Sequence, residues 1–247
     1  MKRTLTLIVT FFIGAANVLA QSQFYNIAIG VNAGITTAFT DLNYKSGEFK
    51  ENKKSLMTDR AMSFGGSLDY YFTPFLNAGV EYNINQLKGG PDSHNRQFVA
   101  DFSSIEIRGG AALGQFVDYT YNDILYMLRG LNLSLGYGII NGKNNVHNFN
   151  NPDGKTPSRQ HANDIGKSEF KNVSMVPITI GYNFVFYNQY DEQKILLGIN
   201  YKTVFTSSDD INGFNDNPKI FKNKAKDHYS VFGVSLKYMF GPRSLYY

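Results

Sequence analysis

The sequence predicts an all-β fold: an eight-stranded antiparallel up-and-down transmembrane β-barrel with short periplasmic turns and long extracellular loops. Three observations carry that expectation. Eight segments alternate apolar and polar residues with period two. Each runs for roughly ten to fourteen residues, longer than the five or six usual in soluble sheets and matched to a tilted strand crossing hydrocarbon. The connections between the segments are expected to alternate long and short, the parity of loop lengths that outer-membrane barrels show.

The chain opens on "MKRTLTLIVTFFIGAANVLAQ". Lys2 and Arg3 form a charged start, Leu5 to Ile13 an apolar stretch, and Val18 and Ala20 the small residues before a cut. This pattern predicts a signal peptide over residues 1–20, and a single barrel domain over 21–247. The apolar run is too short for a comfortable helical span.

The first alternating segment is "NIAIGVNAGITTAF". Ile27, Ile29, Val31 and Ile35 take one face, while Asn26, Gly30, Asn32, Gly34 and Thr36 take the other. "AMSFGGSLDYYF" sets Met62, Phe64, Leu68, Tyr70 and Phe72 against Ser63, Gly65, Ser67 and Asp69. "FLNAGVEYNINQ" sets Leu76, Val80, Tyr82 and Ile84 against Asn77, Gly79, Glu81, Asn83 and Asn85. "SSIEIRGGAALG" sets Ile105 and Ile107 against Glu106 and Arg108, and "GLNLSLGYGI" sets Leu131, Leu133, Leu135 and Tyr137 against Asn132, Ser134, Gly136 and Gly138. "VSMVPITIGYNFVF" places Val176, Ile178, Ile180, Tyr182, Phe184 and Phe186 on one face; "KILLGINYKTVF" places Ile195, Leu197, Ile199, Tyr201 and Phe205; "YSVFGVSLKYMF" places Phe232, Val234, Leu236, Tyr238 and Phe240.

The long connections are expected near Thr40–Arg60, Gly89–Asp101, Asn141–Lys171 and Ser207–Asp227. The short ones are expected at Thr73–Pro74, as a medium turn near Thr120–Leu125, and at Asn188–Glu192. That sorting puts both chain ends on the periplasmic side. Tyr and Phe are abundant, at 17 and 20, and those at the strand ends are then expected in girdles at the headgroup level. Phe24, Tyr25, Tyr70, Tyr71, Phe72, Phe75, Phe116, Tyr119, Tyr121, Tyr126, Phe186, Tyr187, Tyr190, Tyr238 and Phe240 fall at the short-turn rim. Phe39, Phe102, Phe205 and Tyr229 fall at the other.

The polar face is small because an eight-stranded barrel has an interior barely wide enough for side chains. Its charged members are Asp69, Glu81, Glu106, Arg108, Lys202 and Lys237, three acids and three bases. Buried charges must pair or each costs several kcal/mol. The spacing places Glu106, Arg108 and Lys202 in the outer half and Asp69 and Lys237 near the periplasmic end, with Glu81 between. A salt-bridged plug and a polar ion path both fit this set.

Other chemistry is thinly supported. There is no cysteine, and His94, His147, His161 and His228 are not spaced as ligands. The first three are expected in external loops. His228 and Ser230 share a face, but no acid completes a catalytic set, so no enzyme, catalytic residue, metal or cofactor is expected. In "SSDDINGFNDN", Ser208, Asp210, Asn212 and Gly213 weakly resemble a calcium loop, but Lys219 stands where a glutamate is needed. "NPDGK" is a turn. The basic stretches "FKENKKS" and "KIFKNKAK" fit a solvated rim or contact with lipopolysaccharide. The formal charge of +4, about half of it in the leader, is too weak to suggest nucleic acid.

The opening "IGVNAGI", the "LSLGYGI" and "ITIGYNF" strands and the closing "HYSVFGVSLKYMF" together resemble the eight-stranded outer-membrane β-barrel proteins common in Bacteroidota, of the OmpA-transmembrane-domain-like or PorT-like porin type. The resemblance covers the whole chain after residue 20. It implies residence in the outer membrane as a monomer, surrounded by lipid. It also implies insertion by the outer-membrane assembly machinery, with Phe240 as the terminal aromatic; Gly241–Tyr247 depart from that ending. No peptidoglycan-binding domain is expected. The resemblance supplies no activity, so a structural or surface-interaction protein with a closed lumen, a small porin or channel, and a lipid-modifying barrel stay open.

Overall fold

A computed structural model describes residues 22–39, 61–89, 96–119, 122–148, 166–208, 211–213 and 226–246. The leader and the basic stretch 49–55 lie outside the described residues, as do His94, His161, Asp210, Lys219, the turn at 151–155 and most of 219–226.

Eight strands follow in chain order: β1 (Ser22–Phe39), β2 (Ala61–Tyr71), β3 (Leu76–Gly89), β4 (Arg96–Ala112), β5 (Leu131–Asn148), β6 (Gly166–Tyr187), β7 (Gln193–Thr206) and β8 (His228–Tyr246). Each pairs antiparallel with its neighbour, and β8 closes on β1 from Phe39↔His228 to Ser22↔Tyr246. Closure satisfies every strand edge, which a membrane-spanning sheet requires because hydrocarbon offers no hydrogen bonds.

The alternation decides which face looks outward. Ile29, Val31, Met62, Leu68, Val80, Ile107, Leu133, Ile180, Leu197 and Val234 are all exposed on the outer wall. Their alternating neighbours are buried or half-buried inside. The barrel is therefore inside-out relative to a soluble protein, with a continuous apolar exterior and polar groups in the interior.

Several boundaries differ from the sequence reading. β4, β5 and β6 run well beyond the apolar belt at the long-loop end, because polar residues such as Asp101, Lys143 and Glu169 continue the pairing where there is no lipid to demand apolar side chains. The loop expected over Gly89–Asp101 shrinks to residues 90–95, and that over Asn141–Lys171 to 149–165. His147 consequently sits in β5, exposed, opposite Gln97. At the other end the expected medium turn near Thr120–Leu125 is a connection over 113–130, which holds a short helix, α1 (Asp123–Leu128). Loop lengths thus favour the same end, yet without strict alternation. Beyond Phe240, Gly241 adopts φ +89°, the register shifts, and β8 continues to Tyr246 alongside Ser22–Tyr25. Arg243–Tyr246, beyond the expected terminal aromatic, are paired with β1.

The interior is layered. At the long-loop end Leu87, Phe98, Phe102, Ile140, Phe170, Met175, Ile211 and Tyr229 form one apolar cluster. At the short-turn end Phe24, Tyr25, Tyr71, Leu196 and Met239 form another. Phe102 and Tyr229, expected in the outer girdle, instead meet inside the barrel with ring centroids 5.4 Å apart. Phe24, Tyr25, Tyr71 and Phe75, expected in the periplasmic girdle, are likewise buried. Aromatic content alone does not report which face carries the ring; strand parity does for Tyr71, Phe102 and Tyr229, while the register shift between Tyr25 and Ile27 turns Tyr25 inward. Polar residues fill the space between the two clusters.

Candidate functional site in the barrel lumen

The six inward charges form one chain. Glu106 Oε1 lies 2.8 Å from Lys202 Nζ, which lies 2.6 Å from Glu81 Oε1. Glu81 Oε2 lies 3.1 Å from Arg108 Nε, an ion-pair distance without hydrogen-bond alignment. Arg108 Nη2 lies 2.9 Å from Asp69 Oδ1, and Asp69 Oδ2 lies 2.7 Å from Lys237 Nζ. Acids and bases alternate along the whole sequence of contacts. Arg108, expected in the outer half with Glu106 and Lys202, instead shares a register row with Asp69, and its partners are Asp69 and Glu81 and not its near neighbour Glu106.

Register explains why these partners meet. Asp69, Gly79 and Arg108 occupy one row across β2, β3 and β4. Gly79 has no side chain, so the guanidinium passes over it to Asp69; a Cβ there would lie 2.4 Å from Asp69 Oδ1 and 2.5 Å from the Leu68 carbonyl oxygen. Gly30 does the same on β1. It sits between Ser67 and Lys237, and its added Cβ would lie 2.8 Å from Lys237 Cγ. The small face of the first strand is thus the clearance that lets Lys237 reach Asp69.

In the next row Glu81 and Glu106 face each other directly across β3 and β4. Like charges so placed repel. Lys202, projecting from β7, sits between them and donates to both. Asn83 donates to Glu81 at 2.9 Å, while Ser67 and Asn77 donate to Asp69 at 3.1 and 3.3 Å. These neutral donors fill carboxylate lone pairs that the bases do not reach, which a buried ion pair needs if it is not to cost stability.

A cavity of about 100 Å³ threads this layer. Its walls run from Asn85, Ser104 and Tyr229 to Pro74, Phe75 and Arg129 at the short-turn end. Phe98, Val146, Phe170 and Ile211, deeper in the outer cluster, do not line it. The segment 211–213 helps close that end. The backbone N–H groups of Ile211 and Asn212 donate to Asp227 Oδ2, and Asn144 donates to the Ile211 carbonyl. Asn212, a ligand position in the calcium-loop comparison, is buried in this plug.

A further buried acid escaped the sequence reading. Glu192, treated there as part of a turn, is 2% exposed and accepts hydrogen bonds from Asn188 Nδ2 at 2.8 Å and from the Tyr25 hydroxyl at 3.0 Å. Arg243 lies 2.9 Å from its other oxygen. The Asn188 hydrogen bond chiefly holds the Glu192 carboxyl below the ordinary glutamate range, with Tyr25 and Arg243 adding to it against burial. The signal was available in the "GPRSLYY" ending, had β8 been extended past Phe240.

His228 and Ser230 share the outer wall, without a hydrogen bond between them among the described residues. His228 stacks on Phe39 at 5.1 Å and on Phe205 at 6.1 Å. Ser230 is occupied by the hydroxyls of Tyr201 and Thr203. The pair serves the aromatic rim.

The outward belt, closed ladder and polar interior decide the class of object. The chain is an outer-membrane-type β-barrel. No family model and no curated protein matches it. Among solved structures it is similar to Neisserial surface protein A, at 11% identity and TM-score 0.47 over 90% of this chain and 100% of that one. It is also similar to CarO of Acinetobacter baumannii, at 11% and 0.42 over 85% and 97%, and to the attachment invasion locus protein Ail of Yersinia pestis, at 12% and 0.36 over 90% and 100%. The barrel assignment stands on the strand ladder itself.

Proposed function

We propose that this protein resides in the outer membrane as a monomeric barrel with a closed lumen, and that its role is structural or one of surface interaction through the long-loop end. What carries the reading is the stack inside the barrel: a continuous six-residue ion chain beneath an apolar plug of Phe98, Phe102, Ile140, Phe170 and Ile211. An ion crossing the lumen would have to break charge-assisted bonds and then pass an apolar layer, each costly in a low dielectric. Residues 1–20 act as the export signal, and 21–247 form the barrel. The likeness of its strands to Bacteroidota barrels supports insertion by the outer-membrane assembly machinery. The basic residues of 49–55 and 219–226 supply the chemistry for contact with lipopolysaccharide phosphates.

Planar-bilayer recording of the refolded chain from Gln21 onward tests the reading. No unitary steps are expected. Regular conductance steps with defined ion selectivity would overturn the closed lumen and make the protein a small porin.

A further inference from the structure

The connection over 113–130 places a helix where none was expected. α1 is only six residues long, well below the length at which a helix persists in water by itself. It is held at both ends. Asn122 caps it, accepting from the N–H groups of Ile124 and Leu125. At its far end the Tyr182 hydroxyl donates to the Met127 carbonyl, and Asn183 N–H donates to the Gly130 carbonyl at 2.8 Å. Arg129 lies over the Tyr126 ring at 3.6 Å and donates to the Tyr187 hydroxyl at 3.0 Å.

So tethered, α1 shows an apolar stripe. Ile124 is 68% exposed and Met127 67%, with Leu128 and Leu131 also exposed. Ile124, Met127 and Leu128 follow the spacing i, i+3, i+4 of one helical face. Leu131 is the first residue of β5 and already belongs to the outward belt, with Leu133 next on the same face. Tyr182, which holds the helix, is on the outer wall of β6 beside Phe184, with ring centroids 4.8 Å apart. The stripe is thus continuous with the lipid-facing surface at the short-turn rim, and a ring of that surface pins the helix to it.

We infer that α1 is an interfacial anchor whose Ile124–Met127–Leu128 face is covered by phospholipid of the periplasmic leaflet. The inference rests on the membrane-spanning reading above. An apolar face continuous with the lipid-facing belt, flanked by polar groups, is the pattern of helices that seat their apolar residues among the acyl chains at the interface. Arg129 and its tyrosines supply that polar side. The helix so placed fixes the depth of the short-turn rim, complementing a barrel whose opposite end extends freely into water.

The chain contains no tryptophan, so a single one is an unambiguous reporter. Ile124→Trp and Met127→Trp would each be refolded into phosphatidylcholine vesicles with and without lipids brominated near the glycerol end of the acyl chain. Leu133→Trp in the belt and Lys143→Trp on the polar extension serve as references, and heat-modifiable migration verifies folding of each. Both helix variants are expected to show blue-shifted emission and bromine quenching close to that of Leu133→Trp. Emission and quenching matching Lys143→Trp, or blue-shifted emission without bromine quenching, would overturn the inference. Should Leu133→Trp itself go unquenched, the membrane-spanning reading fails instead. If one helix variant does not fold, the other reads the same stripe.

Discussion

Replacing Lys202 with methionine separates the ion chain into unequal parts, and the structure says what each would lose. Glu81 keeps Arg108 at 3.1 Å. Glu106 loses its direct partner: among the described residues its ion pair is with Lys202 alone, and its side chain is 2% exposed. Glu106 also faces Glu81 across the β3–β4 ladder, so the substitution exposes it to a like charge that Lys202 had bridged. Breaking a buried pair by removing one partner costs about 3–5 kcal/mol. With a urea slope of about 3 kcal/mol per M for a chain of this size, the unfolding midpoint should fall by about 1–1.7 M. Arg108→Met should cost less, because Asp69 keeps Lys237 and Glu81 keeps Lys202. The double variant Lys202→Met/Glu106→Gln should recover part of the loss, since an unpartnered buried amide costs about 1–3 kcal/mol. Urea titration in detergent micelles, followed by heat-modifiable migration, measures all three. A midpoint unchanged in Lys202→Met, or a double variant no more stable than the single, would refute the buried chain and indicate a lumen solvated enough to screen it.

Gly79→Ala should destabilise by about 1–3 kcal/mol, the usual cost of overpacking, because the new Cβ collides with Asp69 and the Leu68 carbonyl; a midpoint like that of the parent would mean Arg108 does not cross over residue 79. The Glu192 carboxyl lies below its ordinary value of 4.5 in the folded state, so its stabilisation is complete above that value and is lost as pH falls through the lower folded value. Glu192→Gln should therefore flatten part of the acid dependence of the urea midpoint below about pH 5, and parallel pH curves for parent and variant would refute the role. A peptide tag inserted at residue 158 should label on intact cells, whereas one inserted at Thr73 should need a permeabilised envelope; the reverse pattern would invert the barrel.

Period-two alternation determined the eight strands and the direction in which each side chain points, because a strand has two faces and lipid demands that one be apolar throughout. Asp69, Glu81, Glu106, Arg108, Lys202 and Lys237 were placed on the inner face by that parity alone. Which acid meets which base was beyond it. Arg108 passes over Gly79, Lys237 passes over Gly30, and Lys202 reaches from β7 to two acids on β3 and β4, and each of these depends on the stagger between strands far apart in sequence. The stagger also brought Phe102 and Tyr229, both inward by parity, into ring contact and carried β8 past Gly241 to bury Glu192. Strand ends were poorly legible, because polar residues beyond the membrane pair as readily as apolar ones within it and leave no alternation to follow. α1 was invisible for a related reason: six residues carry too little periodicity to declare a helix, and besides its Asn122 cap it is held by Tyr182, Asn183 and Arg129, brought together by the closed barrel.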